Sequence, residues 1–191
     1  MFMMLRTAVA ICFLIISVFL MACVQINVEK VDVRLGDRTT LYFTGRGAAA
    51  GIMMDSLLGG TGVAIGIAID EGIAKDISTA ILANNPNFSM KALTEDLLYE
   101  QMGKNKSIGS LKAVIIEKYG FKSAADDTVI PLLELKLTCA SGLVQDIRLS
   151  ETDSKYAIPF DKVKTDGALA EKKLYEAVHN VFSVNEQICS S

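Results

Sequence analysis

The sequence predicts an α+β fold: an antiparallel sheet of about four to five strands with helices packed on one face, plus a glycine-rich helical hairpin. Three observations carry that expectation. Thr128 to Ala140, TVIPLLELKLTCA, places Leu133, Leu135, Leu137 and Cys139 on one side and Glu134, Lys136 and Thr138 on the other, the signature of a strand with one buried face. Ile65, Ile69, Ile73, Ile77 and Ile81 recur at every fourth position, which lines them along one helical face. Gly167 to Val184 reads as a terminal helix with Leu169, Leu174, Ala177, Val178 and Val181 inward. Half-polar strands favour an antiparallel sheet open on one side over a parallel sheet covered on both.

Taken in chain order, Val24 to Leu35 is a tether running into a first strand, with near-alternation at Ile26, Val28, Val31 and Val33. Gly36-Asp37-Arg38 signals a turn. Thr39 to Thr44, rich in β-branched and aromatic residues, reads as a second strand that pairs with the first as a hairpin. Asn84-Asn85-Pro86-Asn87 stops the isoleucine helix, and Ser89 caps a further helix from Met90 to Met102. Ser110 to Tyr119 reads as a strand, and Gly120 to Asp127 as a loop. Ser141-Gly142 turns the alternating strand into Leu143 to Leu149 as a hairpin. Pro131 puts the start of that strand at an edge or a bulge. Ser150 to Lys164 reads as irregular.

The segment 47–82 is Gly/Ala-rich and holds half of the 14 glycines. Gly59-Gly60-Thr61-Gly62 is too glycine-dense for a helix interior, so the segment splits there into two helices. Gly47, Gly51, Gly59, Gly62 and Gly66 are the residues that let a second backbone, or a membrane, come close. Between Ala48 and Ile69 the only polar side chains are Asp55, Ser56 and Thr61. A packed helical hairpin and an inserted or oligomerising hairpin both fit this composition. Gly60 to Gly66 also spells a GxGxxxG string, but the residues before it read as helix rather than as the buried strand a dinucleotide loop needs.

The first residues form a leader. Arg6 is followed by a charge-free run from Ala8 to Val24 that ends in small residues, the layout of a secretory signal. Its end, Leu20-Met21-Ala22-Cys23, resembles the lipobox of bacterial lipoproteins. That resemblance implies cleavage after Ala22, diacylglycerol on the Cys23 thiol, and acyl chains such as palmitate that hold the mature chain to a lipid bilayer; more than one chain gives stable anchoring. Residues 1–22 are then the leader, and 23–191 one periplasmic α+β domain. Val24 after the cysteine, by the same resemblance, favours the outer membrane facing the periplasm. Cys12 leaves with the leader and Cys23 is acylated, so Cys139 and Cys189 remain as a pair in an oxidising compartment. A disulfide between them is expected; two buried free thiols are the alternative.

Composition narrows the function further. Formal net charge is −3 and there is no basic run, which argues against nucleic acid as a partner. Tryptophan is absent, so no indole platform for carbohydrate exists. His179 is the one histidine; a hydrolase using it with an unassigned serine is the least favoured reading, because a triad also needs an orienting acid. No Cys-x-x-Cys or second histidine marks a metal site, and no cofactor is expected. Asp126-Asp127 and Lys104-Asn105-Lys106 read as turn and solvated loop. The expectation is a non-enzymatic envelope protein that binds a protein partner or an envelope component. An assembly or pore-associated lipoprotein, forming a homo-oligomer or inserting through its glycine-rich segment, is the alternative.

Overall fold

In the computed structural model, residues 30–37, 40–58, 61–104, 108–149, 156–184 and 188–189 are described; the expected leader (1–22), Cys23 and Gly59 lie outside them. The strands are β1 (Asp32–Leu35), β2 (Tyr42–Thr44), β3 (Leu111–Ser123), β4 (Thr128–Cys139), β5 (Val144–Arg148) and β6 (Ile158–Pro159). The helices are α1 (Arg46–Leu58), α2 (Thr61–Asn84), α3 (Met90–Met102), α4 (Phe160–Thr165) and α5 (Gly167–Val184).

Strands β3 and β4 form the long antiparallel centre of the sheet. Their inner residues Val114, Ile116, Phe121, Leu133, Leu135 and Leu137 are buried against the helices. Glu134, Lys136 and Thr138 lie on the opposite, half-exposed face. β3 runs on to Ser123 where the sequence suggested a loop from Gly120. The reason is a close approach: a Cβ at Gly120 would overlap the backbone carbonyl of Tyr42, so glycine admits the neighbouring strand here. Asp126 and Asp127, with φ of 53° and 55°, form the two-residue turn between β3 and β4. Positive φ at both central positions marks the primed turn that suits strand twist. The β4–β5 hairpin is formed as expected. Pro131 sits in β4 between the stretches that pair β6 and β5, where its missing N–H leaves no ladder bond unmade.

The sheet is mixed, which corrects the expectation of a purely antiparallel one. β1 and β2 do not form a hairpin with each other. They lie end to end along the same edge of β3, both parallel to it, with Asp32 opposite Ala113 and Tyr42 opposite Gly120. The chain between β2 and β3 carries α1, α2 and α3, and a helical crossover of that kind returns a strand in the parallel sense. Val31, Val33, Leu41 and Phe43 still all point into the core, so the alternation was read on the correct face and only the pairing differed.

Helix α5 spans the expected residues and buries Ala170, Leu174, Ala177, Val178, Val181 and Phe182. Asp166 caps it by accepting from Leu169 N at 2.9 Å. Ser89 caps α3, accepting from Ala92 N. The segment before α5, read as irregular, contains β6 and the short α4. Beyond α5, Ile188 is buried and Cys189 comes to disulfide distance of Cys139, with Cα atoms 5.6 Å apart. The tail is thereby held against the central strand.

Candidate functional site

The feature that the core does not use is the hairpin of α1 and α2. Glycines four residues apart put two small positions on one face of each helix. Gly47 of α1 meets Gly66 of α2, and Gly51 meets Gly62. The approach is backbone to backbone: a Cβ on Gly51 would stand 2.9 Å from the Gly62 carbonyl oxygen, and one on Gly47 would overlap that of Gly66. Of the five glycines the sequence singled out, these four form the seam; Gly59 lies outside the described residues.

Asp70 completes the seam, one helical step of four beyond Gly66. It is only 9% exposed. Its carboxylate accepts from Gly45 N at 3.1 Å and from Gly47 N at 2.7 Å. These are free N–H groups at the start of α1, so the cap of α1 comes from the neighbouring helix. The negative charge also faces the positive end of the α1 dipole.

Beyond Asp70 the hairpin leaves the domain. The buried residues of α2 are Gly62, Gly66, Asp70, Ile73, Ala74, Ile77 and Ile81. The isoleucine stripe, which the spacing places along one helical face, is core only from Ile73 onward. Ile65 is half-buried and Ile69 is exposed, because at that level α2 has only α1 beside it. Helix α1 packs on α2 and on no other element to a comparable extent. With the two helices meeting through glycines, large apolar side chains of both stand exposed: Ile52 is 74% exposed and Met53 76% on α1, Val63 53% and Ile67 56% on α2.

Charged residues gather at the base. The Arg46 guanidinium stacks over the Phe160 ring at 3.7 Å and pairs with Asp127. Lys164 lies 5.4 Å from the same ring and pairs with Asp76 at 3.3 Å. Asp127 thus does more than turn the chain, a role its sequence context did not suggest. Next to this base, a cleft of about 490 Å³ opens between β2 and α2, lined among others by Thr40, Tyr42, Glu71, Lys75 and Ser78.

The other candidate residues lie elsewhere. His179 stacks with Tyr175, ring centroids 6.0 Å apart, and its Nδ1 is 3.4 Å from Ser183 Oγ one turn further on. The nearby acid Glu176 is engaged by Lys172 and Lys173. Lys104 pairs with Glu100 at 2.9 Å and lowers the pKa of that carboxyl; Asn105 and Lys106 lie outside the described residues. Arg34, by hydrogen bonding, likewise lowers the pKa of Asp32. Burial raises the pKa of the Tyr119 phenol on β3. Among the described residues no group of three or more metal-ligating side chains is assembled, and no helix is long and apolar enough to cross a membrane. No family model matches this chain, and no curated protein or solved structure matches it significantly.

Proposed function

We propose that the chain is a bacterial envelope lipoprotein, acylated at Cys23 and standing in the periplasm from the outer membrane. In this reading it acts by binding rather than by catalysis, as an accessory component for an envelope protein or structure. The lipobox-like Leu20 to Cys23 supports the anchor, and the adjacency of Cys139 and Cys189 suits an oxidising compartment.

The observation that carries the binding role is the hairpin. A folded domain holds a two-helix arm away from its core, and that arm exposes Ile52, Met53, Val63 and Ile67. Contiguous exposed apolar surface marks an association site. The alternative, an assembly lipoprotein whose arm inserts or oligomerises, draws on the same arm.

Intact mass of the membrane-extracted protein, beside a Cys23→Ser form, tests the anchor. A chain starting at Cys23 with added acyl mass, lost in the variant, is the expected result. A chain with unmodified Cys23 overturns the lipoprotein reading. Co-purification from the envelope, compared with a Met53→Glu, Val63→Glu form, tests the binding role: partners held equally by both forms do not use the arm.

A further inference from the structure

We propose that the partner of the α1–α2 arm is the hydrocarbon of a lipid leaflet, into which the arm inserts as far as the charged base at Arg46 and Asp70. This deepens the reading of the arm as the association element, and it does not depend on acylation of Cys23.

Three observations favour lipid over a second copy of the chain. The first is the angular spread of the exposed apolar residues. On α1, Ile52, Met53 and Met54 are consecutive and all exposed, and at about 100° per residue they span roughly 200° of the helix. On α2, Val63, Ala64, Ile67, Ala68 and Ile69 are exposed around the Gly62, Gly66 and Asp70 seam. A partner arm packed on this one would cover a single stripe. An exposed face this wide, apolar but for Asp55 on α1, suits lipid or a core.

The second is the distribution of charge. From Gly47 to Ile69 the one charged residue is Asp55. Charges begin abruptly at the base with Arg46 on α1, then Asp70, Glu71 and Lys75 on α2, joined by Asp127 and Lys164. An apolar arm with a charged collar reproduces the polarity step at a bilayer surface.

The third is length. Helix α1 has 13 residues, about 20 Å of rise. That matches one leaflet, about 15 Å of hydrocarbon, and falls short of a crossing. Along the body of each helix of the arm the backbone hydrogen bonds are internal, which hydrocarbon requires. The glycine seam lets the two helices touch without a polar side chain between them, the small-residue contact of helices in lipid. Asp55, the one charge on the arm, opposes entry.

The absence of tryptophan makes the test direct. Val63→Trp and Ile52→Trp, made separately in the full chain, put one indole on each helix of the arm. Tyr175→Trp on α5 puts one on the folded domain. Each protein is reconstituted with phosphatidylethanolamine–phosphatidylglycerol vesicles with and without brominated acyl chains. The expected result is blue-shifted emission and quenching by the brominated chains at both arm positions and not at Tyr175→Trp, even where acylation already tethers all three. Met53→Lys added to Val63→Trp diminishes the quenching, and Asp55→Asn added to it increases it. Circular dichroism confirms that each variant is folded. Unquenched, red emission at the arm positions overturns the proposal. So does quenching on one helix only, or a blue shift present without vesicles and indifferent to bromine, which identifies a second copy as the partner. The mass of the Cys23 form is read separately, so loss of the anchor and loss of insertion are distinguishable.

Discussion

The same substitution made twice in α2 should have opposite effects. A Cβ added at Gly72 meets nothing within 4 Å, so Gly72→Ala gains the full helix preference of alanine over glycine, about 0.8–1 kcal/mol. Gly66→Ala gains the same preference but drives a methyl into the Gly47 carbonyl, with Gly47 C at 2.9 Å and Gly51 Cα at 3.3 Å. These neighbours are backbone, so no rotamer relieves the overlap and the helices must part. Overpacking of this kind costs about 1–3 kcal/mol, leaving a net loss of up to about 2 kcal/mol after the propensity gain. The loss falls on α1, because α1 packs on little besides α2. Native-state hydrogen exchange reads it locally: α1 amides exchange up to about 30-fold faster in Gly66→Ala, at tenfold per 1.4 kcal/mol. In Gly72→Ala the α2 amides exchange more slowly. A Gly66→Ala protein with α1 protection equal to or above that of the parent would refute the backbone-contact seam.

Three further outcomes follow from named groups. Asp70→Ala strands two N–H donors at the start of α1 and should cost about 1–3 kcal/mol for each group kept from water; Asp70→Asn, which keeps an acceptor oxygen, should recover part of this in urea titrations. Replacing both Cys139 and Cys189 by serine opens a link across 50 residues of sequence and should lower stability by about 4 kcal/mol in the chain-entropy description, with no change on adding reductant to the variant. Burial raises the Tyr119 pKa, so unfolded chains lose that proton first; stability is full below the ordinary tyrosine pKa and falls as pH rises through the folded-state value. A spectrophotometric titration should show one phenol above the others, and Tyr119→Phe should remove that step.

Local periodicity made much of this fold legible. The β4–β5 hairpin and α5 were readable because a two-residue or a three-to-four-residue repeat reports burial of one face whatever lies opposite. The glycine seam was readable in the same way, since Gly47 and Gly51, and Gly62 and Gly66, each keep a spacing of four. Asp70 continues that spacing, which is the available signal for its place on the seam, beside the isoleucine repeat one face over. Parallel pairing of β1 and β2 was not legible, because alternation gives the face of a strand and not its neighbour. Arg46 and Asp127 lie 81 residues apart, and nothing local in either segment marks their pairing. β6 and α4 are too short to build a repeat.

The proposed anchor at Cys23 and the proposed insertion of the arm together constrain how the molecule stands. The arm leaves the sheet at the Thr44–Lys122 end, whereas β1 begins opposite Ala113, about 30 Å back along an extended β3. From Cys23 to Lys30 the chain reaches at most about 25 Å. With Cys23 in the leaflet that the arm enters, the domain cannot stand with its strands along the membrane normal, since Lys30 would be held beyond the reach of its own tether. Because that reach is shorter than the span back to the start of β1, the long axis must lean away from the normal. Inserting a flexible Gly/Ser stretch of about eight residues after Val24 adds enough reach to release that lean. The Val63→Trp probe should then report a changed depth by depth-dependent quenching, with the proposed lipid anchor unaltered. Equal depth in the short and lengthened chains would mean that the anchor and the arm do not share a leaflet, and the two ends of the domain would have to be assigned to different surfaces.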